Sequence, residues 1–334
     1  MSPDLESQLA QEDYSIDEAW RASASVLRQL GGDPDRRRLI ASSPLLISAL
    51  RPAVRRFVAG WDQAAALEVA KDLSRSSVHV SIDYMGEDTV DDREVEDATT
   101  EFIELAHACA KLGVGASISA NLSHIGLAID PSLASENCRR IAEEAKAHGI
   151  ELILNMEGDR YRPHILDTFW NLGERYPNLG ITLQACLEDT VEDLARSLEL
   201  QGRIRLVKGA YDELGEEAIR GGTVNARFSE LCEQLVESGH RCSIATHDPE
   251  LLSHTARLLK EKGSSELEFE TLYGVALSRL EALRDAGHKV RVYMPYGTQW
   301  LLYLFHRLAE YPPNLHFAVQ DVISNSVHEE TQTQ

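Results

Sequence analysis

Eight short apolar runs, separated from one another by segments of helical periodicity, predict a (β/α)8 barrel for this 334-residue chain. The runs are VHVSIDYMG (78–86), GASISANLS (115–123), IELILNMEG (150–158), LGITLQACL (179–187), IRLVKGAY (204–211), CSIATHD (242–248), LEFETLYG (267–274) and VRVYMPYG (290–297). They are strand-sized and mostly rich in Val, Ile and Leu, and most of them end in Gly, Asn, Asp, Ser or Tyr. Amphipathic stretches such as ENCRRIAEEAKAHG and NARFSELCEQLVESG lie between them and close on Gly, as helices often do. The whole alternation occupies about 230 residues, the length such a barrel requires. A doubly wound open sheet ranks below it, because no GxGxxG follows the first strand. Residues 1–74 read as a helical segment that either caps the barrel or serves as the interface of a homo-oligomer. Residues 75–323 read as the barrel, and residues 324–334 as a polar, flexible tail.

Composition narrows the function. The formal charge of −21 opposes binding to nucleic acid and to anionic membrane surfaces. No apolar run is long enough to cross a bilayer, and Met1–Asp13 is acidic and polar rather than a signal peptide, so no stable membrane insertion and a cytoplasmic location are expected. The five cysteines are widely spaced and form no CxxC, which fits reduced thiols rather than a disulfide framework.

A barrel of this type builds its active site at the C-terminal ends of its strands. There stand Asp83, Tyr84, Asn121, Ser123, Asn155, Glu157, Gln184, Arg205, Lys208, Tyr211, Thr246, His247, Glu270, Tyr273, Tyr293 and Tyr296. The segment RVYMPYGTQWLLYLFHRLAE continues from the last strand into an amphipathic helix. Tyr303, His306, Arg307 and Glu310 fall on roughly one face of that helix. No HxH, HExxH or DxD pattern supplies a compact metal constellation, and no local Ser-His-Asp or Cys-His signature is present. Amides, phenols and a few cations suit an organic cofactor that carries the chemistry itself.

The motif RIRLVKGAYDE (203–213), with IATHD, FETLYG and the RVYMPYG…YLFHRLAE segment, resembles the proline dehydrogenases, and NLSHIGLAID and ILNMEGD stand where that family has similar strand ends. The resemblance implies a distorted (β/α)8 barrel with non-covalently bound FAD. It implies oxidation of L-proline to pyrroline-5-carboxylate by hydride transfer to flavin N5, with the electrons passing on to a quinone or oxygen. By motif, Arg205 would lie beside the flavin, with Val207, Lys208, Gly209 and Ala210 lining the cofactor. Gln184 would meet the ring edge, Thr246 and His247 the phosphates and ribose, and Glu310 the adenosine side. Glu270 stands where the family usually has Gln. Tyr211, Leu272, Tyr293 and Tyr303 would wall the substrate pocket.

The chain departs from the family pattern where the substrate carboxylate is held. YxxRRxxE reads Tyr303-x-x-His306-Arg307-x-x-Glu310, the KLS lysine is Asn121, and the DME aspartate that pairs with that lysine is Asn155. Two neutral amides replace a charge pair as a unit, as expected where either charge alone would be costly when buried. A charge about 4 Å from a carboxylate contributes roughly 4 kcal/mol at an effective dielectric of about 20, so the loss is not trivial for a small zwitterion. The departures imply a small secondary amine, imino acid or hydrazine-type amino acid as substrate. Ordinary proline oxidation through Arg307 alone and a catalytically retired flavin-binding barrel are the two alternatives.

Overall fold

The computed structural model describes residues 16–112, 115–209, 222–263, 266–310 and 314–323. Two compact units divide the chain, Ala59–Thr298 on one hand and Met1–Val58 with Gln299–Gln334 on the other. These limits differ from the boundaries predicted at residues 74 and 323. The helix Gln63–Arg75 belongs with the barrel because Ala66 and Ala70 are buried in the barrel's apolar cluster. The helix Trp300–Glu310 belongs with the N-terminal helices, and the predicted tail lies outside the described residues.

The smaller unit contains α1 (Ile16–Gly32), α2 (Pro34–Ala41), α3 (Pro44–Phe57) and α12 (Trp300–Glu310), with residues 314–323 also helical. Asp33 and Ser43 cap α2 and α3 from the position before a proline. The side chain of Asp33 accepts from the backbone N–H groups of Asp35 and Arg36 at 2.9 and 3.2 Å. A methyl group at Gly31 would come within 3.2 Å of Leu302 and 3.3 Å of Phe305, so α1 and α12 pack with little space between them. Arg56 pairs with Asp321 at 2.6 Å and stacks on Phe317.

The larger unit runs α4 (Gln63–Arg75), β1 (His79–Tyr84), α5 (Asp92–Cys109), β2 (Ala116–Ala120), α6 (Pro131–Ala147), β3 (Glu151–Leu154), α7 (Arg162–Gly173), β4 (Leu179–Gln184), α8 (Thr190–Ser197), β5 (Ile204–Val207), α9 (Gly222–Ser238), β6 (Cys242–Ala245), α10 (Pro249–Lys262), β7 (Leu267–Leu272), α11 (Leu277–Asp285) and β8 (Val290–Tyr296). All eight predicted strands are present, parallel and closed into one barrel. The β1–β8 seam pairs His79 with Arg291 and Tyr84 with Tyr296. Asp130 and Asp248, each before a proline, cap α6 and α10 through their side chains.

Strand residues of one parity, among them Val80, Ile82, Ile118, Leu152, Ile181 and Leu206, join the apolar cluster with the helices. The other parity does not follow the usual branched-aliphatic filling of such barrels. Arg291 Nε pairs with Glu268 at 2.8 Å while its Nη1 donates to Ser117 Oγ at 2.8 Å. Arg203 reaches Glu151 at 2.8 Å and Glu268 at 3.1 Å. Burial alone would raise the Glu268 carboxyl, but Arg291, His79 and Arg203 around it hold it well below its ordinary value. The interior is therefore a lattice of matched charges.

All five cysteines are free, as the spacing led one to expect; they are also buried, and burial pushes the thiols of Cys109 and Cys138 up to about 12. Among the described residues no helix is long and apolar enough to cross a membrane.

Candidate active site

The strand ends converge on Arg205. This residue is 4% exposed on β5, and the short polar side chains at the same depth of β1, β2 and β4 leave room for its guanidinium. Nη2 donates to Ser81 and Ser119 at 2.8 Å each, and Nη1 donates to Asn155 Oδ1 at 3.1 Å. Nε lies 3.0 Å from Glu270 Oε1, an ion pair in which the N–H is not aligned on the oxygen well enough for a hydrogen bond. The guanidinium carbon sits 5.2 Å from the centroid of the Tyr293 ring. Nη1 also donates to Thr182 Oγ1 at 3.5 Å, so six partners from six strands hold one cation in a fixed plane.

Asn155 joins this cation to a second amide. Its Nδ2 donates to Asn121 Oδ1 at 2.8 Å, and Asn121 Nδ2 donates to the Gly86 carbonyl at 3.1 Å. Beside them the Tyr293 hydroxyl donates to the Asp83 carboxylate. Burial raises the Asp83 carboxyl to about 6, against the opposing pull of Tyr293, Arg205 and Asn155. Glu157, two residues on from Asn155, accepts from the backbone N–H of Ser123 at 3.0 Å and from its hydroxyl. Its carboxyl is raised to about 7, chiefly by burial and further by Glu87 and Asp88, with the Ser123 bonds opposing.

On the β4–β7 side a second group forms. Lys208 pairs with Asp248 at 2.8 Å, and Asp248 also caps α10 by accepting from Glu250 N at 2.9 Å. Thr246 is buried and its Oγ1 accepts from Asp248 N at 3.2 Å. His247 Nε2 accepts from the backbone N–H of Leu272 at 3.0 Å, which places that nitrogen in its unprotonated form and fixes the ring against the end of β7. Gln184 is buried, and its Oε1 accepts no hydrogen bond among the described residues. Val207 ends β5, and Gly209 follows two residues later. Gly209 has φ +104°, and a Cβ there would sit 2.2 Å from Cys186 Sγ.

The predicted site residues therefore fall into three sets. Arg205, Asn121, Asn155, Glu270 and Tyr293 are brought together at the barrel mouth. Gln184, Val207, Lys208, Gly209, Thr246, His247 and Leu272 line adjacent strand ends. Tyr303, His306, Arg307 and Glu310 lie on α12 in the other unit, where Arg307 pairs with Glu310 at 2.7 Å and stands 5.1 Å from the Tyr303 ring centroid. Burial, with Arg307, Arg28 and Arg37 nearby, pushes the His306 imidazole down to about 4, so it is neutral at pH 7. Ala210 and Tyr211 lie outside the described residues.

Sequence reasoning did not assign Ser81, Ser119 and Thr182 to the Arg205 cradle, nor Asp248 to Lys208. The signal was available in the alternation of VSIDY and SISA, where small polar residues share one face with Asp83, and in the Asp-Pro capping dipeptide of THDPE.

Comparison with known proteins bears on the same region. Residues 66–320 match the family model for proline dehydrogenase. The chain is 32% identical over 277 residues to proline dehydrogenase 1 of Bacillus subtilis, covering 82% of this chain and 91% of that protein. To the proline dehydrogenase of Deinococcus radiodurans it is 30% identical over 276 residues, covering 80% and 89%. Among solved structures it resembles proline utilization A from Bdellovibrio bacteriovorus inactivated by N-propargylglycine, with a TM-score of 0.72 and 22% identity. That likeness covers 77% of this chain and 32% of the larger one and speaks to the fold alone. With the family model spanning most of the chain and relatives matched along nearly their whole length, the chain belongs to the proline dehydrogenase family of oxidoreductases.

Proposed function

We propose that the chain is an FAD-dependent dehydrogenase of the proline dehydrogenase type that acts on a small secondary amine, imino acid or hydrazine-type amino acid. The observation that carries this reading is the neutral Asn121–Asn155 pair bonded to Arg205, where the family places a lysine and an aspartate. Arg205, Glu270 and Tyr293 keep an ordered redox-type site, while the positive charge expected to grip an amino-acid carboxylate is reduced. His306, neutral at pH 7, does not restore it, and Arg307 is the remaining cation of the arginine pair.

The residues present fit a flavin. The buried Oε1 of Gln184, with no hydrogen-bond partner among the described residues, is an acceptor in want of a donor such as a ring N–H. Gln184, Arg205, Val207, Lys208, Gly209, Thr246 and His247 would hold it. When bound, FAD supplies the two-electron acceptor for the C–H bond beside the amine nitrogen. Arg205 stabilises negative charge that grows at its position. Asn121, Asn155 and Tyr293 orient the ligand with hydrogen bonds that need no carboxylate, and Leu272 supplies an apolar wall. Asp83 keeps the Tyr293 hydroxyl committed as a donor to it. The substrate nitrogen must be neutral before the C–H bond breaks, so the rate should rise with pH.

Oxidation of L-proline to pyrroline-5-carboxylate is the second reading, favoured by the names of the Bacillus and Deinococcus relatives. The experiment that separates them is anaerobic bleaching of bound flavin across proline, hydroxyproline, N-alkyl amino acids and hydrazino acids. Fastest reduction by a compound other than proline is expected. A clear preference for proline would establish the second reading instead, and flavin inert to the whole panel would mark a retired barrel. Quinone and oxygen are the acceptors to compare once a reducing substrate is found.

A further inference from the structure

At the far end of the barrel from this site, two neighbouring helices bring together two imidazoles and a carboxylate. His107 lies in the last turn of α5, Glu144 in the last turn of α6, and His148 is the C-cap residue of α6. Both helices run back along the outside of the barrel, so their C-termini face the starts of β2 and β3 rather than the mouth. An Arg140–Glu96 ion pair at 2.7 Å ties the same two helices together earlier in their course.

His107 Nε2 stands 2.7 Å from Glu144 Oε1, and His148 Nε2 stands 3.5 Å from the same oxygen. The two rings meet edge-on with centroids 4.5 Å apart. The three donor atoms lie within 4.8 Å of one another, and among the described residues this is the one such group of three. Glu144 and His148 are four residues apart on one helix face, and His107 completes the set from the next helix. Ligand atoms bound at about 2.0–2.1 Å to a tetrahedral ion stand roughly 3.3 Å from one another, so both histidine–glutamate separations lie within an ångström of those of a coordination shell. The side chains are 41%, 39% and 39% exposed, open enough for an ion to enter and for water to fill the remaining positions.

We infer that His107, Glu144 and His148 form a binding site for a divalent transition-metal ion of the zinc class, which cross-links α5 and α6. Two imidazoles and one carboxylate select zinc, nickel, cobalt or copper over magnesium and calcium, which prefer all-oxygen shells. The alternative is a histidine–carboxylate hydrogen bond with no ion. That bond already accounts for the Glu144 carboxyl lying below its ordinary value, chiefly through the His107 hydrogen bond. What the bond does not require is the second imidazole, with its Nε2 turned to the same oxygen. The site lies outside the proposed redox machinery, so its ion would act on the stability of the two helices.

The test uses the full chain without a polyhistidine tag, stripped with chelator and titrated with Zn²⁺, Co²⁺, Mg²⁺ and Ca²⁺ by calorimetry and by thermal melting. The expected result is one equivalent of Zn²⁺ bound, a raised melting temperature reversed by chelator, and no response to Mg²⁺ or Ca²⁺. His107→Ala, His148→Ala and Glu144→Gln should each weaken Zn²⁺ binding at least about tenfold, and Co²⁺ should show the intense visible bands of a low-coordinate site. His148→Ala removes a half-exposed cap side chain, so the folded protein is retained for the comparison. Absence of Zn²⁺ binding by the wild type would overturn the inference. So would binding that all three variants leave unchanged, because the ion would then lie elsewhere.

Discussion

Asn155 and Asn121 form a directed hydrogen-bond pair, with Asn155 Nδ2 donating to Asn121 Oδ1 at 2.8 Å. The direction is set from both ends. Arg205 occupies Asn155 Oδ1 as a donor, and Gly86 occupies Asn121 Nδ2 as an acceptor. Each amide can therefore point only one way, and the polarity runs from the guanidinium through two neutral side chains to a backbone carbonyl. A lysine at 121 alone would set two donors against each other, and an aspartate at 155 alone would set two acceptors against each other.

The pair should consequently revert only as a unit. Asn121→Lys and Asn155→Asp made singly are expected to lose stability, and the double variant to recover much of it, with a coupling of about 1–3 kcal/mol in a double-mutant cycle by urea denaturation. Adding His306→Arg should raise kcat/KM for proline by about ten- to a hundredfold, the scale of one to two new charge contacts at a partly screened site. Additive single effects, or no gain with proline, would contradict the replacement of the lysine–aspartate pair as a unit.

Arg205 and Glu270 are 4% and 1% exposed, and each is the other's charge partner. Arg205→Met leaves a buried carboxylate and is expected to cost about 3–5 kcal/mol of folding stability. The double variant Arg205→Met/Glu270→Met should regain a large part of that loss while anaerobic flavin reduction stays abolished. Recovery of stability together with flavin reduction would remove Arg205 from the chemistry.

Asp83 gives a pH signature. Its carboxyl is raised to about 6, above the unfolded value near 3.9, so the folded state holds the proton more tightly. The native state is therefore favoured by this group below about pH 4 and loses that advantage as pH rises through 6. Asp83→Asn keeps an acceptor for Tyr293 and removes the ionisation. It should be the more stable protein at pH 8, by on the order of 1–3 kcal/mol, with the difference shrinking to near zero at pH 4. Chemical denaturation at the two pH values reads this directly.

His306 runs the other way. Its imidazole is lowered to about 4, so stability from burying it neutral is present above about 6.5 and is lost as pH falls toward 4. His306→Gln should lose less stability than the wild type over that acid range, and the pH dependence of substrate KM between 6 and 9 should be the same in both. A KM profile that flattens in the variant would show a charged histidine at work.

Gly209→Ala tests the cofactor cradle. The new methyl would meet Cys186 Sγ at 2.2 Å in a backbone conformation that side chains disfavour. The flavin absorbance of purified protein should fall severalfold, and Cys186→Ala should restore only part of it, because the contact is relieved while φ +104° is not. Full flavin content in Gly209→Ala would place the cofactor away from this loop.

Much of the fold was legible because it is written locally. Strand periodicity over eight runs, and the Asp-Pro and Ser-Pro starts of α2, α3, α6 and α10, depend on neighbours in sequence alone. The unit boundaries were not legible. Whether Ala66 and Ala70 face the barrel, or Leu302 and Phe305 face Gly31, depends on surfaces remote in the chain. The site divides in the same way. Tyr293, Arg205 and the two asparagines stand out at strand ends, whereas Ser81 and Ser119, two small hydroxyls among many, gain meaning only from the guanidinium between them.

The order of residues by itself determined the eight-stranded barrel, the reduced charge at positions 121, 155 and 306, and the kinship with an oxidoreductase family. Tertiary structure alone decided that the barrel interior is a lattice of ion pairs, that His306 is neutral at pH 7, and that His107 meets Glu144 and His148. The physical reason is that periodicity and capping act over a few residues. Ion pairing, desolvation and ligand convergence are instead set by distances in space between groups that the chain keeps tens to hundreds of residues apart.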